Sequence, residues 1–127
     1  MSEKFNGIVI ETSGRMYVSE YGEPLCKTVG RTVGGYIEIV RPYRLPRPYC
    51  MLINEDGKIT DLPINEVGSS LYGYESHGDP IVGDIVLMKE GLYNGEPDII
   101  GLTETDIRYL RDWLMERYGD KIKEVNT

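Results

Sequence analysis

The stretch from Thr103 to Gly119 constrains the fold most, because apolar residues recur there at helical spacing over a long run. Ile107, Leu110, Leu114 and Tyr118 fall on one stripe. Thr103 stands at the N-cap, Asp106 three residues on makes a capping-box variant, and Leu102 and Ile107 hold the two positions of a hydrophobic staple. Glu104 and Arg108 form an outer i,i+4 pair, and Gly119 closes the helix. A helix with one apolar stripe needs a second layer to cover it, and the preceding chain must supply that layer.

That preceding chain reads mostly as strands. Residues 5–12 and Arg15–Glu20 alternate around a Ser13–Gly14 turn. Residues 24–33 are ambiguous; one reading is a short helix opened by Pro24 and stopped by Gly34–Gly35. Tyr36–Val40 is a strand, and a proline-rich loop follows. Tyr49–Ile53 and Lys58–Leu62 flank Asn54-Glu55-Asp56-Gly57 as a hairpin, with Gly57 supplying a positive φ. Pro63–Gly73 reads as a short helix capped by Asn65, and Tyr74–Pro80 as a loop. Ile81–Lys89 is the most hydrophobic strand, interrupted by a bulge at Gly83–Asp84. Glu90–Pro97 reads as a polar loop and Ile99–Ile100 as a last short strand. The expectation is one α+β domain over residues 1–127: a mainly antiparallel sheet of five to six strands, the C-terminal helix on one face, and short helices between strands.

The charge narrows the partners. Twenty-one acidic against 14 basic residues give −7, the wrong sign for holding a duplex phosphate backbone. Cys26 and Cys50 form no CxxC pair and His77 is the lone histidine, so neither a disulfide framework nor a metal site is expected. No motif implies a cofactor. With no signal-peptide core at the N-terminus and no apolar run of membrane length, a cytoplasmic location without membrane contact is expected.

Two stretches carry candidate chemistry. In the loop from Arg41 to Tyr49 three prolines favour an extended backbone, and Arg41, Arg44 and Arg47 recur every third residue, the period of polyproline II. A row of guanidiniums would hold phosphates while Tyr43 or Tyr49 stacks on a base; alternatively, the arginines pair with surface carboxylates and the prolines stiffen a connection. The second stretch, Leu71–Asp84, gathers glycines, His77, Asp79 and Asp84. His77 with Asp79 or Asp84 would make a general base, or His77 would simply hold the loop; Ser76 lacks a nucleophile elbow. The acidic loop at 54–57 lacks the ligand spacing of a calcium site, and Gly30–Gly35 lacks the Lys-Ser/Thr ending of a phosphate loop.

Several motifs taken together carry a family resemblance. They are Val33–Val40, Met51–Lys58, Leu62–Asn65, Leu71–Gly73, His77–Asp84 and Ile99–Thr103. The set resembles a family of small proteins carried by phages, plasmids and integrative elements of Firmicutes, catalogued as a domain of unknown function. The resemblance implies an accessory protein of a mobile element. In such a setting the leading expectation is a non-enzymatic anti-defence protein, a homo-oligomer that sequesters a small nucleotide-derived immune signal. Arg41, Arg44 and Arg47 would take its phosphates, Tyr43 or Tyr49 its base, and His77 or Asp79 its polar groups. The alternatives are a protein-interaction module that inhibits a host defence protein, and a small hydrolase built on His77 with Asp79 or Asp84.

Overall fold

Strands buried on both faces read as continuous apolar runs, and two such runs form the centre of the sheet. The computed structural model describes residues 3–57 and 60–125. Its elements run β1 (Phe5–Ile10), β2 (Arg15–Tyr21), α1 (Leu25–Val33), β3 (Ile37–Val40), β4 (Tyr49–Asn54), α2 (Glu66–Tyr72), α3 (Tyr74–His77), β5 (Ile85–Tyr93), β6 (Glu96–Ile100), α4 (Glu104–Tyr118) and β7 (Lys123–Glu124). Every residue of β4 is buried, as are Ile85–Met88 of β5.

The strands lie in the order β3-β4-β5-β1-β2-β7, and β6 pairs with β5. Among the described residues only the β2–β7 pairing is parallel; the others are antiparallel. Successive side chains of a strand point to opposite faces, so the sheet builds two cores. Ile8, Ile10, Met51, Ile53, Ile85 and Leu87 face α2 and α4, where Val67, Leu71, Leu110, Leu114 and Tyr118 close the layer. Val9, Cys50, Leu52, Val86 and Met88 face α1 and meet Val29 and Val33. The expected α+β architecture is therefore present, with the C-terminal helix on one face and α1 on the other.

Capping chemistry sets the helix ends. The Thr103 side chain accepts from the Asp106 N–H at 3.1 Å, and the Asp106 carboxylate accepts from the Thr103 N–H at 2.8 Å, completing the capping box. Asn65 caps α2 by accepting from the Gly68 N–H at 2.9 Å. Its amide also donates to the carbonyls of Ile10 and Gly83, so one buried side chain joins α2, β1 and the turn before β5. At the end of α1, Gly34 takes φ 90°. The buried Asn54 amide donates to the Val33 carbonyl there at 3.0 Å.

Four expectations are corrected. Among the described residues no strand completes a hairpin after β4. Thr60 and Asp61 lie in a turn, Leu62 is in no strand, and Lys58 and Ile59 lie outside the described residues. Both edges of β4 are already taken, by β3 and β5, so a following strand has nothing to pair with. Gly57 is not a positive-φ residue. A Cβ there would stand 2.5 Å from Val82 Cγ2, so close packing is what requires glycine. The polar stretch 90–97 is not a loop. β5 continues to Tyr93 and turns into β6 through Asn94 and Gly95, at φ 53° and 81°, as a two-residue hairpin turn demands. The strand expected over 81–89 begins after the Gly83–Asp84 break, and Val82 makes only a bridge to Ile64. In addition, α3 provides one helical turn where a loop was expected, and β7 was not foreseen.

Candidate functional site

The loop from Arg41 to Tyr49 is not a polyproline II segment. It is two successive turns, closed by Leu45 N–H to Pro42 C=O at 3.3 Å and Tyr49 N–H to Pro46 C=O at 3.1 Å. The Arg47–Pro48 peptide is cis. Leu45, at 5% exposure, is drawn into the α2/α4 core and bends the chain inward. The arginines consequently split instead of forming a row, Arg44 on one side and Arg41 with Arg47 on the other.

Arg44 points back over α2 and α3. Its backbone N–H donates to the Leu71 carbonyl at 3.0 Å, its guanidinium donates to the Ser70 carbonyl at 2.6 Å, and it pairs with Glu75. The hydrogen bond to Glu75 raises its pKa above the ordinary arginine value. Arg41 stands on the other side, with Nε 2.6 Å from Glu90 Oε1, a close ion pair that lacks hydrogen-bond geometry. Arg47 is exposed, and among the described residues no carboxylate pairs with it. Arg41, Arg47, Tyr49 and Glu90 border one cleft of about 310 Å³.

The two candidate stacking tyrosines differ. Tyr43 is 77% exposed. Tyr49 is buried, its ring stacked on Tyr109 at 6.0 Å between centroids and its hydroxyl donating to Asp106 Oδ1 at 2.7 Å. Burial, together with that bond, pushes the Tyr49 hydroxyl up to about 12. Lys89 Nζ lies 2.7 Å from Asp106 Oδ2. Burial pushes the Asp106 carboxyl upward, but hydrogen bonds from Lys89, the Thr103 backbone, Tyr49 and the Thr103 hydroxyl prevail and hold it down to about 2. This half-buried cluster locks α4 onto the sheet, and the sequence reading missed it. A lysine within an otherwise apolar strand was the signal available.

The second candidate stretch is distributed as well. His77 ends α3 in its backbone, and its side chain lies outside the described residues. Asp84 accepts from the Thr12 N–H at 2.9 Å and ties the end of β1 to the start of β5. Asp79 lines a hollow of about 380 Å³ together with Glu38, Glu55, Asp56 and Tyr72. Among the described residues no cation pairs with Glu38, Glu55 or Asp56. On the opposite face of the sheet a larger hollow, about 680 Å³, is lined mainly by apolar side chains including Leu25, Ile37, Ile39, Tyr93 and Ile99. β3 borders both hollows, and the sequence reading did not single it out as a site. The structure thus brings Arg41 and Arg47 together, turns Arg44 away, and places Asp79 in a different and acidic hollow.

Two further observations bound the chemistry. Both cysteines are free, with Cys26 exposed and Cys50 buried. Among the described residues no helix is long and apolar enough to cross a membrane.

No curated protein and no solved structure matches the chain. The family model described as Domain of unknown function (DUF3846) matches residues 5–117, nearly the whole folded unit from β1 to the end of α4. By the extent of that match, the chain belongs to the DUF3846 family.

Proposed function

We propose that this protein is a non-enzymatic accessory protein of a mobile element, and that it works as a protein-interaction module against a host defence protein. The observation that carries the reading is how the loop's positive charge is used. Arg44 is engaged by Ser70 and Glu75 and Arg41 stands against Glu90, while Glu38, Glu55 and Asp56 remain uncompensated among the described residues around an open hollow. An acidic concave surface favours a basic partner by charge complementarity, whereas a small anionic ligand would be repelled from it. Native mass spectrometry and pull-down from host cells expressing the protein test this reading. One host protein retained in stoichiometric amount, independent of nucleotide, is the expected outcome; a chain that retains no protein overturns it.

A second reading, sequestration of a nucleotide-derived signal, is favoured by one specific feature. Arg47 has no carboxylate partner among the described residues, and it shares its cleft with Arg41, whose pairing to Glu90 lacks hydrogen-bond geometry. In this reading Arg47, joined by Arg41 on release from Glu90, would take a phosphate, with exposed Tyr43 on the same loop. Stoichiometric nucleotide released on denaturation would establish this reading in place of the first.

A further inference from the structure

β3 ends the sheet, and nothing in the described chain pairs with its outer edge. The direction of its backbone groups follows from the ladder. The Glu55 N–H donates to the Tyr36 carbonyl at 2.8 Å, and the register sets Glu38 opposite Ile53 and Val40 opposite Met51. In antiparallel alternation, residues 36, 38 and 40 therefore turn their N–H and C=O groups toward β4, while Ile37 and Ile39 turn theirs outward. Natural sheets usually block such an edge with proline, a bulge or a covering loop. The edge strand β6 carries Pro97 and Asp98, whereas β3 carries no proline and leaves Ile39 45% exposed.

The two faces of β3 differ chemically. Glu38 and Val40 face the α2/α4 side and border the acidic hollow with Glu55 and Asp56. Ile37 and Ile39 face the α1 side and border the apolar hollow of about 680 Å³. A strand added to this edge would place alternate side chains over the two hollows in turn, as its pleat requires.

Resting on the interaction-module reading above, we infer that β3 is a docking edge for an extended segment of a partner protein in which Lys or Arg alternates with Val or Ile. The backbone of Ile37 and Ile39 supplies the hydrogen bonds, Glu38, Glu55 and Asp56 take the basic side chains, and the α1-side hollow takes the apolar ones. A second copy of the chain fits this edge poorly. The antiparallel register confined to β3, which pairs Ile37 of one copy with Ile39 of the other, sets Glu38 directly opposite its own copy, and like charges facing across a ladder are destabilising.

The test uses the full chain and a synthetic peptide of four Lys-Val repeats, with a Glu-Val peptide of the same length as control, measured by calorimetry. The lysine peptide is expected to bind about tenfold or more tighter than the glutamate peptide, and to weaken as salt is raised. Ile39→Pro removes an N–H that the protein itself does not use, so the variant folds while losing about tenfold or more in binding. Glu38→Lys gives the same loss without touching the backbone, and circular dichroism verifies both folds. Equal binding of the two peptides, or undiminished binding by both folded variants, overturns the inference. So does a dimer in sedimentation that Ile39→Pro dissociates, because the edge then serves a second copy. A host protein captured equally by wild type and folded Ile39→Pro overturns the docking edge and leaves the proposed function standing. Failure to capture any host protein, with peptide binding still lost in the variant, overturns the proposed function and supports the edge.

Discussion

Asp106 joins α4 to the sheet through one carboxylate. It accepts from Thr103 at the helix start, from Tyr49 on β4 and from Lys89 on β5. Its folded pKa of about 2 lies below the ordinary carboxylate value, so the ionised form is the one that folding favours. The resulting stability, about 2 kcal/mol, is fully present above roughly pH 4 and is lost as pH falls toward about 2. Asp106→Asn should lower stability at pH 7 by about that amount and flatten the dependence between pH 5 and 2, as read by urea unfolding at each pH. The cysteines give a second check. Burial pushes the Cys50 thiol up to about 12, whereas Cys26 is exposed. A thiol reagent should therefore titrate one group quickly in the folded protein and two after denaturation. At this scale the capping box was legible because its partners are three residues apart. The bonds to Lys89 and Tyr49 were not, because they span separate strands.

The elements divide according to how local their determinants are. α4 was legible to the residue, since its cap, staple and stripe all lie within one stretch. Leu110 is fully buried in the middle of that stripe. Leu110→Ala should cost about 3 kcal/mol through lost burial and a residual cavity, measured by chemical denaturation. The β5–β6 hairpin carried its signal in Asn94–Gly95, but the surrounding polar residues concealed it. Those residues are polar because this part of the ribbon is largely exposed, with only its turn chemistry in common with buried hairpins. Gly95 has φ 81°, and a Cβ added there would meet nothing within 4 Å, so backbone strain alone opposes a side chain. Gly95→Val is expected to cost about 1 kcal/mol or more, seen as a lowered Tm with wild-type binding retained. The hairpin expected at 54–57 failed for a non-local reason, the occupation of both β4 edges.

For the whole molecule, net charge is a weaker guide than its distribution. The sum of −7 argued against duplex nucleic acid, but it did not place the carboxylates around β3 or pair Arg41 and Arg44 with glutamates. The two proposed readings use different surfaces and so separate cleanly. Arg41→Glu with Arg47→Glu should abolish retention of a nucleotide, if one is bound, without disturbing capture of a protein partner; native mass spectrometry of the folded double variant reads both at once. Loss of protein capture in that variant would move the interaction surface from β3 to the arginine cleft.

The order of residues by itself determined the α+β class, the capped C-terminal helix, the Asn65 cap and most strand segments, because these depend on periodicity, turn chemistry and contacts within a few positions. Tertiary structure alone decided the strand order, the second core beneath α1, the separation of Arg44 from Arg41 and Arg47, and the exposure of the β3 edge. Each of these follows from which distant segments compete for the same sheet edge or the same core volume, and Leu45 shows the principle at one residue: its burial bends the loop whose threefold spacing had pointed to a straight row of charges.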